Sequence, residues 1–201
     1  MTLIWTLAGC GLTDRTTVDQ SAVVQWPSSN DSLDFWDTLE SQSVTTNDDA
    51  LHGLLLLVQA EPEPANWDER VAAAQRRGWL SSATSLKANE SARVGTIAVC
   101  ICHILDVQGG LSMRLFGKNP RYSTRELVHM GLLPGITENE ALTGSEFLAL
   151  IAATEQQQWM NMAMATRQTE PTAPAMATSS AERPGQAAST PPAADPNEVT
   201  P

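Results

Sequence analysis

Apolar and polar positions along the chain follow a helical period wherever a core can form. Val94, Ile97, Ala98, Ile101, Ile104 and Leu105 step by three and four, which places them on one stripe of a helix. Phe147, Leu150, Ile151 and Thr154 repeat the pattern. The segment "ALHGLLLLVQA" (50–60) predicts another helix, with Asn47 or Asp48 as its cap and Pro62 and Pro64 beyond its end. Ser123-Thr124-Arg125-Glu126 and Thr143-Gly144-Ser145-Glu146 have the form of capping boxes, and Asn66-Trp67-Asp68-Glu69 is a near equivalent. Gly78-Trp79-Leu80 and Gly131-Leu132-Leu133 each set a glycine before two bulky apolar residues, the pattern of a left-handed helix stop. No stretch alternates with a period of two. The fold class read from this is all-α: a small helical domain over about residues 31–165.

The two ends differ from the middle. Residues 10–30 are rich in Thr, Ser, Gln and Asn and read as a polar tether. From 166 to 201 the chain turns to Pro, Ala, Thr and Ser, with seven of its twelve prolines. Such a tail cannot bury enough surface to offset its ordering entropy, so disorder is expected there.

Inside the helical region the two glycine stops invite comparison. "ERVAAAQRRGWL" (69–80) leads through a loop to "ARVGTIAVCICHIL" (92–105), and "TRELVHMGLL" (124–133) leads to "LTGSEFLALIAATE" (142–155). With the preceding helices at 48–60 and about 109–117, this gives two similar three-helix units, with approximate repeats over 48–105 and 109–158. The alternative is two unrelated helical hairpins that look alike. The pattern resembles divergent S-layer homology repeats, in which a Thr-Arg-Ala-Glu motif opens a helix after a loop. Thr143 and Glu146 match that motif, Gly144 stands where its arginine would be, and Val94-Gly95-Thr96-Ile97 departs further. The resemblance implies a helical fold and a module that binds an anionic cell-wall polymer, the Arg-bearing motif being the part that helps bind it in that family.

Near the start, Leu7-Ala8-Gly9-Cys10 has the order of a lipobox: a branched apolar residue, two small ones, then cysteine. Over residues 1–11 the chain resembles bacterial lipoproteins. The resemblance implies a signal peptide at 1–9 and a diacylglycerol-bearing Cys10. It also implies anchoring in the cell envelope by two or three acyl chains, enough for stable attachment. The basic segment of a signal peptide is missing, which points to a start codon placed too late. Gly11 follows the cysteine where aspartate would favour inner-membrane retention, so the outer membrane is favoured in a two-membrane cell. No apolar run reaches the roughly 18–20 residues of a membrane span, so anchoring falls to Cys10.

The formal net charge of −11 argues against nonspecific binding of nucleic acid or anionic lipid by the protein as a whole. Against that background "RLFGKNPRYSTR" (114–125) stands out. Arg114, Lys118, Arg121 and Arg125 occur there without an acid, and Phe116 and Tyr122 are interleaved. Guanidinium forks suit phosphate and carboxylate. Arg114, Lys118, Arg121, Tyr122 and Arg125 are therefore the candidate contact for an anionic ligand or partner. The alternative is that the cations pair with the acidic series Asp31, Asp34, Asp37 and Glu40 or simply solvate a loop. That series, spaced by three, reads as a solvated helix face, because a Ca²⁺ site wants a glycine turn to converge its oxygens.

Other candidates reduce to packing. Cys100 and Cys102 diverge by about 200° on a helix and read as small buried apolar side chains. With His103 they lack the loop spacing of a zinc site. His52, His103 and His129 read as core or interface residues. Trp159, Met160, Met162 and Met164 are expected to cover the domain's own core, with docking of a partner as the alternative. No Gly-x-Ser-x-Gly elbow, phosphate loop or His-Glu-x-x-His motif occurs. The expectation is a structural or adaptor-type envelope lipoprotein, not an enzyme, with no metal and no cofactor. Its partners would be the membrane, through acylated Cys10, and an envelope protein or cell-wall polymer, with no nucleic acid. A small hydrolase is the remote alternative and would need two close acids or a Ser–His pair.

Overall fold

Three of the predicted helices begin at one junction, and their first residues are tied to one another. A computed structural model describes residues 15–28 and 32–169. Its helices are α1 (Ala22–Gln25), α2 (Ser32–Glu40), α3 (Asn47–Leu57), α4 (Trp67–Arg76), α5 (Val94–Ile104), α6 (Leu111–Phe116), α7 (Pro120–His129) and α8 (Gly144–Thr169). The Asn47 N–H donates to the Glu90 carbonyl (2.8 Å), the Val94 N–H to Glu140 (2.8 Å) and the Gly144 N–H to Gln42 (3.0 Å). The first residue of α3 thus bonds the lead-in to α5, that of α5 the lead-in to α8, and that of α8 the lead-in to α3. A helix's first N–H groups have no acceptor within the helix, and this closed ring supplies one for each of the three. Isolated bridges Thr46–Ser91 and Arg93–Ala141 belong to the same knot, and no strand forms among the described residues. The domain is all-α.

Around the knot, α4 packs on α3, α7 on α5 and α2 on α8. Each of the three helices that meet at the knot thus carries one partner, and the partner of α8 comes from the N-terminal side, before α3. Phe35, Leu39, Leu54, Ile97, Ile101, Leu127 and Phe147 fill the core between them. At Gly144 a Cβ would run into the Leu39 carbonyl, so the α2–α8 approach depends on that residue having no side chain.

Several helix boundaries differ from expectation, each for a local reason. Thr46, not Asn47 or Asp48, caps α3: its Oγ1 accepts the Asp49 N–H at 3.1 Å. Asn119 caps α7 through the Tyr122 N–H (3.1 Å), and Pro120 takes the first helical position. Proline's fixed φ and missing N–H suit that place, so the helix starts a turn before Ser123 and Thr124, which are buried inside it. The box at Thr143 forms as predicted: Thr143 Oγ1 accepts the Glu146 N–H (3.2 Å) and the Glu146 carboxylate accepts the Thr143 N–H (2.8 Å). At Asn66 the side chain accepts the Glu69 N–H (3.0 Å), while the Glu69 carboxylate reaches the Ala65 N–H (2.9 Å). Both glycine stops are real: Gly78 and Gly131 have φ of +71° and +76°, and the N–H groups of Trp79 and Leu132 fold back to Ala74 and Leu127. The same device ends α3 and α5 with Gln59 and Asp106 in the left-handed position, both at φ +48°.

Residues 15–28, expected within the tether, are instead packed into the domain. Thr16 accepts the Ser91 N–H (2.8 Å), the Val18 N–H donates to Asn89 (2.9 Å), and Ala22 and Val23 of α1 are buried. The apolar run is too short to show a period. At the other end α8 continues to Thr169, past the expected boundary at 165. The expected signal peptide at 1–9, Cys10 and the tail from 170 lie outside the described residues.

Candidate functional site

Of the candidate cations, Arg114 stands on α6, Lys118 in the turn after it, and Arg121 and Arg125 on the first turns of α7. Gly110 precedes α6, and Gly117, at φ +74°, ends it. Met113 is its one buried side chain. Leu111 is 73% exposed, Leu115 68% and Phe116 67%, and Ser112 and Arg114 are exposed as well. The turn at Gly117 to Asn119 brings Phe116 against Tyr122, rings stacked at 5.9 Å and 27°. Arg121 and Arg125 lie four apart on α7 and so share a face. Tyr122 and Arg125, with Leu111 and Met113, border a shallow cleft of about 180 Å³.

Arg114, Arg121 and Arg125 are exposed and take part in no ion pair among the described residues; Lys118 approaches Asp106 at 3.9 Å. The acidic series does not answer them. Asp34, Asp37 and Glu40 face solvent on α2, behind buried Phe35 and Leu39, and no ion pair joins them to the arginines. Asp31 is outside the described residues. Chemically this is an open cationic face with an aromatic plate and three exposed apolar side chains beside it.

A second polar region is buried at the head of α3. The Arg70 guanidinium grips Asp48 with both ends, Nε to Oδ1 at 2.7 Å and Nη2 to Oδ2 at 3.0 Å. The two side chains are only 5% and 6% exposed. Asp49 accepts the Val23 N–H (2.9 Å) and the Thr46 hydroxyl (2.7 Å). Gln42, its amide turned to suit both neighbours, accepts from the Ala22 N–H at 2.9 Å and donates to Asp49 at 3.2 Å. Burial pushes the Asp49 carboxyl above its ordinary value despite those bonds. This network pins α1 to α3.

His52, 2% exposed, meets Phe35 edge-on at 4.7 Å. Burial, and then the Arg70 charge, hold its pKa down at about 4. It borders a cleft of about 300 Å³ with Leu55, Leu56, Glu61 and Pro64. Its Nε2 has no hydrogen-bond partner, so no hydroxyl or carboxylate is set against that nitrogen as a general base would need. Sequence reasoning missed this region. The pairing of residues 48 and 70 leaves no periodic trace.

The remaining candidates are dispersed. Cys100 and Cys102 are free and buried on α5. Burial pushes the Cys100 thiol up to about 12 and raises Cys102 as well, its Sγ 4.0 Å from the Ser123 carbonyl. His103 is half-buried, and His129 is exposed at the end of α7 and so lies outside the core. No cluster of three or more His, Cys, Asp or Glu among the described residues converges as a metal site. Trp79 is buried behind its glycine stop. Trp159, Met160, Met162 and Met164 are exposed rather than covering the core, because α8 runs on beyond the body of the domain. Among the described residues, no helix is long and apolar enough to cross a membrane. No family model, curated protein or solved structure matches the chain.

Proposed function

We propose that the chain is a cell-envelope lipoprotein, held on a membrane, the outer one in a two-membrane cell, by acylated Cys10. Its role is structural or adaptor-like and works by binding rather than catalysis. The binding surface is Arg114, Lys118, Arg121, Tyr122 and Arg125. One observation carries this choice of surface: three exposed arginines without ion-pair partners surround a stacked Phe116–Tyr122 pair on an acidic protein. None of the three arginines pairs with a described acid, although Glu126 borders the same cleft as Arg125.

The anchoring is tested by the mass of the mature N-terminus from native cells. Acyl chains on Cys10 are expected, and an intact unmodified residue 1–10 segment refutes it. The surface is tested by replacing Arg114, Lys118, Arg121 and Arg125 with glutamine and measuring retention on purified anionic wall polymer. A second reading, an S-layer-homology-like module for such a polymer, draws support from the same surface, where the aromatic plate suits a sugar ring beside its acid group. It would have to work there and not at residue 144, where the Leu39 carbonyl leaves no room for a side chain.

A further inference from the structure

We infer that α6 is a membrane-contacting tip: Leu111, Leu115 and Phe116 enter the interface of an anionic bilayer while Arg114, Lys118, Arg121 and Arg125 engage its phosphates. This rests on the cationic-surface reading above and names the partner.

A soluble polyanion accounts for the cations but not for the three apolar side chains beside them. Within six residues α6 commits one side chain, Met113, to the core and leaves Leu111, Leu115 and Phe116 in water. Contiguous exposed apolar surface marks an interaction site. Its composition, leucines and an aromatic ring flanked by arginine and lysine, is that of segments that lie in the headgroup region. The bilayer is also the occupant that charge complementarity selects. The protein carries 23 acids against 12 cations, and four of those cations lie in 114–125. An anionic surface therefore repels most of the molecule and attracts this tip, which fixes the orientation of approach.

The other exposed apolar cluster lacks this logic. Trp159, Met160, Met162 and Met164 project from α8, but that helix carries a single lysine or arginine, Arg167, against four in 114–125. Nothing there selects a partner.

The test uses the full chain with Cys10→Ser, so that no acyl chain contributes. Co-sedimentation is measured with vesicles of phosphatidylcholine alone and of phosphatidylcholine with about one-third phosphatidylglycerol. The expected result is binding to the anionic vesicles only, weakening with salt. The triple change Leu111→Ser, Leu115→Ser, Phe116→Ser should lower that affinity roughly tenfold or more, and each cation changed to glutamine about fivefold. Leu33→Ser, at an exposed leucine on α2, should leave binding unchanged. The singles Leu115→Ser and Phe116→Ser serve if the triple variant is poorly folded. Anionic-vesicle binding that ignores the apolar changes, or that Leu33→Ser weakens equally, overturns the tip while leaving the cationic surface standing. Retention on purified wall polymer without vesicle binding does the same. Loss of both kinds of binding refutes the tip and the cationic surface together.

Discussion

Two groups of arginines in this protein make opposite use of the same chemistry. Arg70 is enclosed at the head of α3 and gives both ends of its fork to Asp48. Arg114, Arg121 and Arg125 stand in solvent and join no ion pair among the described residues. A charge taken out of water must be paired, because leaving it alone costs several kcal/mol. A charge in solvent has no such obligation and little effect on stability. The first group is therefore held by folding, and the second is available for something other than folding.

That contrast can be broken most directly by truncation. Arg70→Ala strands Asp48 in the interior and is expected to cost about 3–5 kcal/mol in denaturant unfolding. Arg121→Ala should change stability by no more than about 0.5 kcal/mol. Equal losses would mean that the exposed arginines are structural after all. Next in size is the pH dependence of the buried region. His52 titrates at about 4 in the fold against an ordinary 6.5. A depressed histidine contributes stability that is complete above the ordinary value and is lost as pH falls through the folded one. The loss on going from pH 6.5 to below 4 should approach about 3 kcal/mol. Asp49 has the opposite sign: its pKa is raised from 3.8, so its contribution is full in acid and declines as pH rises. Subtracting the stability curve of His52→Phe from that of the unaltered protein isolates the histidine, and a flat difference between pH 4 and 6.5 would remove it from the account.

Two glycines sharpen the comparison between the knot and the periphery. Gly144→Ala sets a methyl against the Leu39 carbonyl and should cost about 2 kcal/mol as α2 and α8 are forced apart. Gly131→Ala meets no atom within 4 Å and is opposed only by its φ of +76°. A smaller loss, about 1 kcal/mol, is expected there. A reversed order in thermal melts would contradict the close packing of the knot. The smallest effect is chemical: Cys100 and Cys102 should react with a thiol reagent only at the rate of unfolding, and fast labelling of the native protein would show α5 to be less enclosed than described.

Much of the helical scaffold was legible in the sequence. The stripe from Val94 to Leu105, the box at Thr143 and the stops at Gly78 and Gly131 each depend on residues within a turn or two. Where a local signal competed with a stronger one, the reading slipped. Ser123 to Glu126 had the letters of a capping box, but Asn119-Pro120 had the better chemistry for a helix start. The left-handed stops at Gln59 and Asp106 escaped because neither residue is glycine. Of the candidate surface, the cluster of cations was visible in the sequence. The exposure of Leu111, Leu115 and Phe116 beside it was not, since an apolar residue in a short helix is as often buried.

Spacing along the chain was enough to establish an all-α domain, several of its helix ends and a cationic segment on an acidic protein, because periodicity, caps and charge are properties of neighbours in sequence. The ring of hydrogen bonds joining residues 47, 94 and 144 to 90, 140 and 42, the grip of Arg70 on Asp48, and the packing of 15–28 into the body belong to the folded chain alone. Each joins residues distant in sequence, and backbone donors that must find acceptors once buried leave no mark on the letters that carry them.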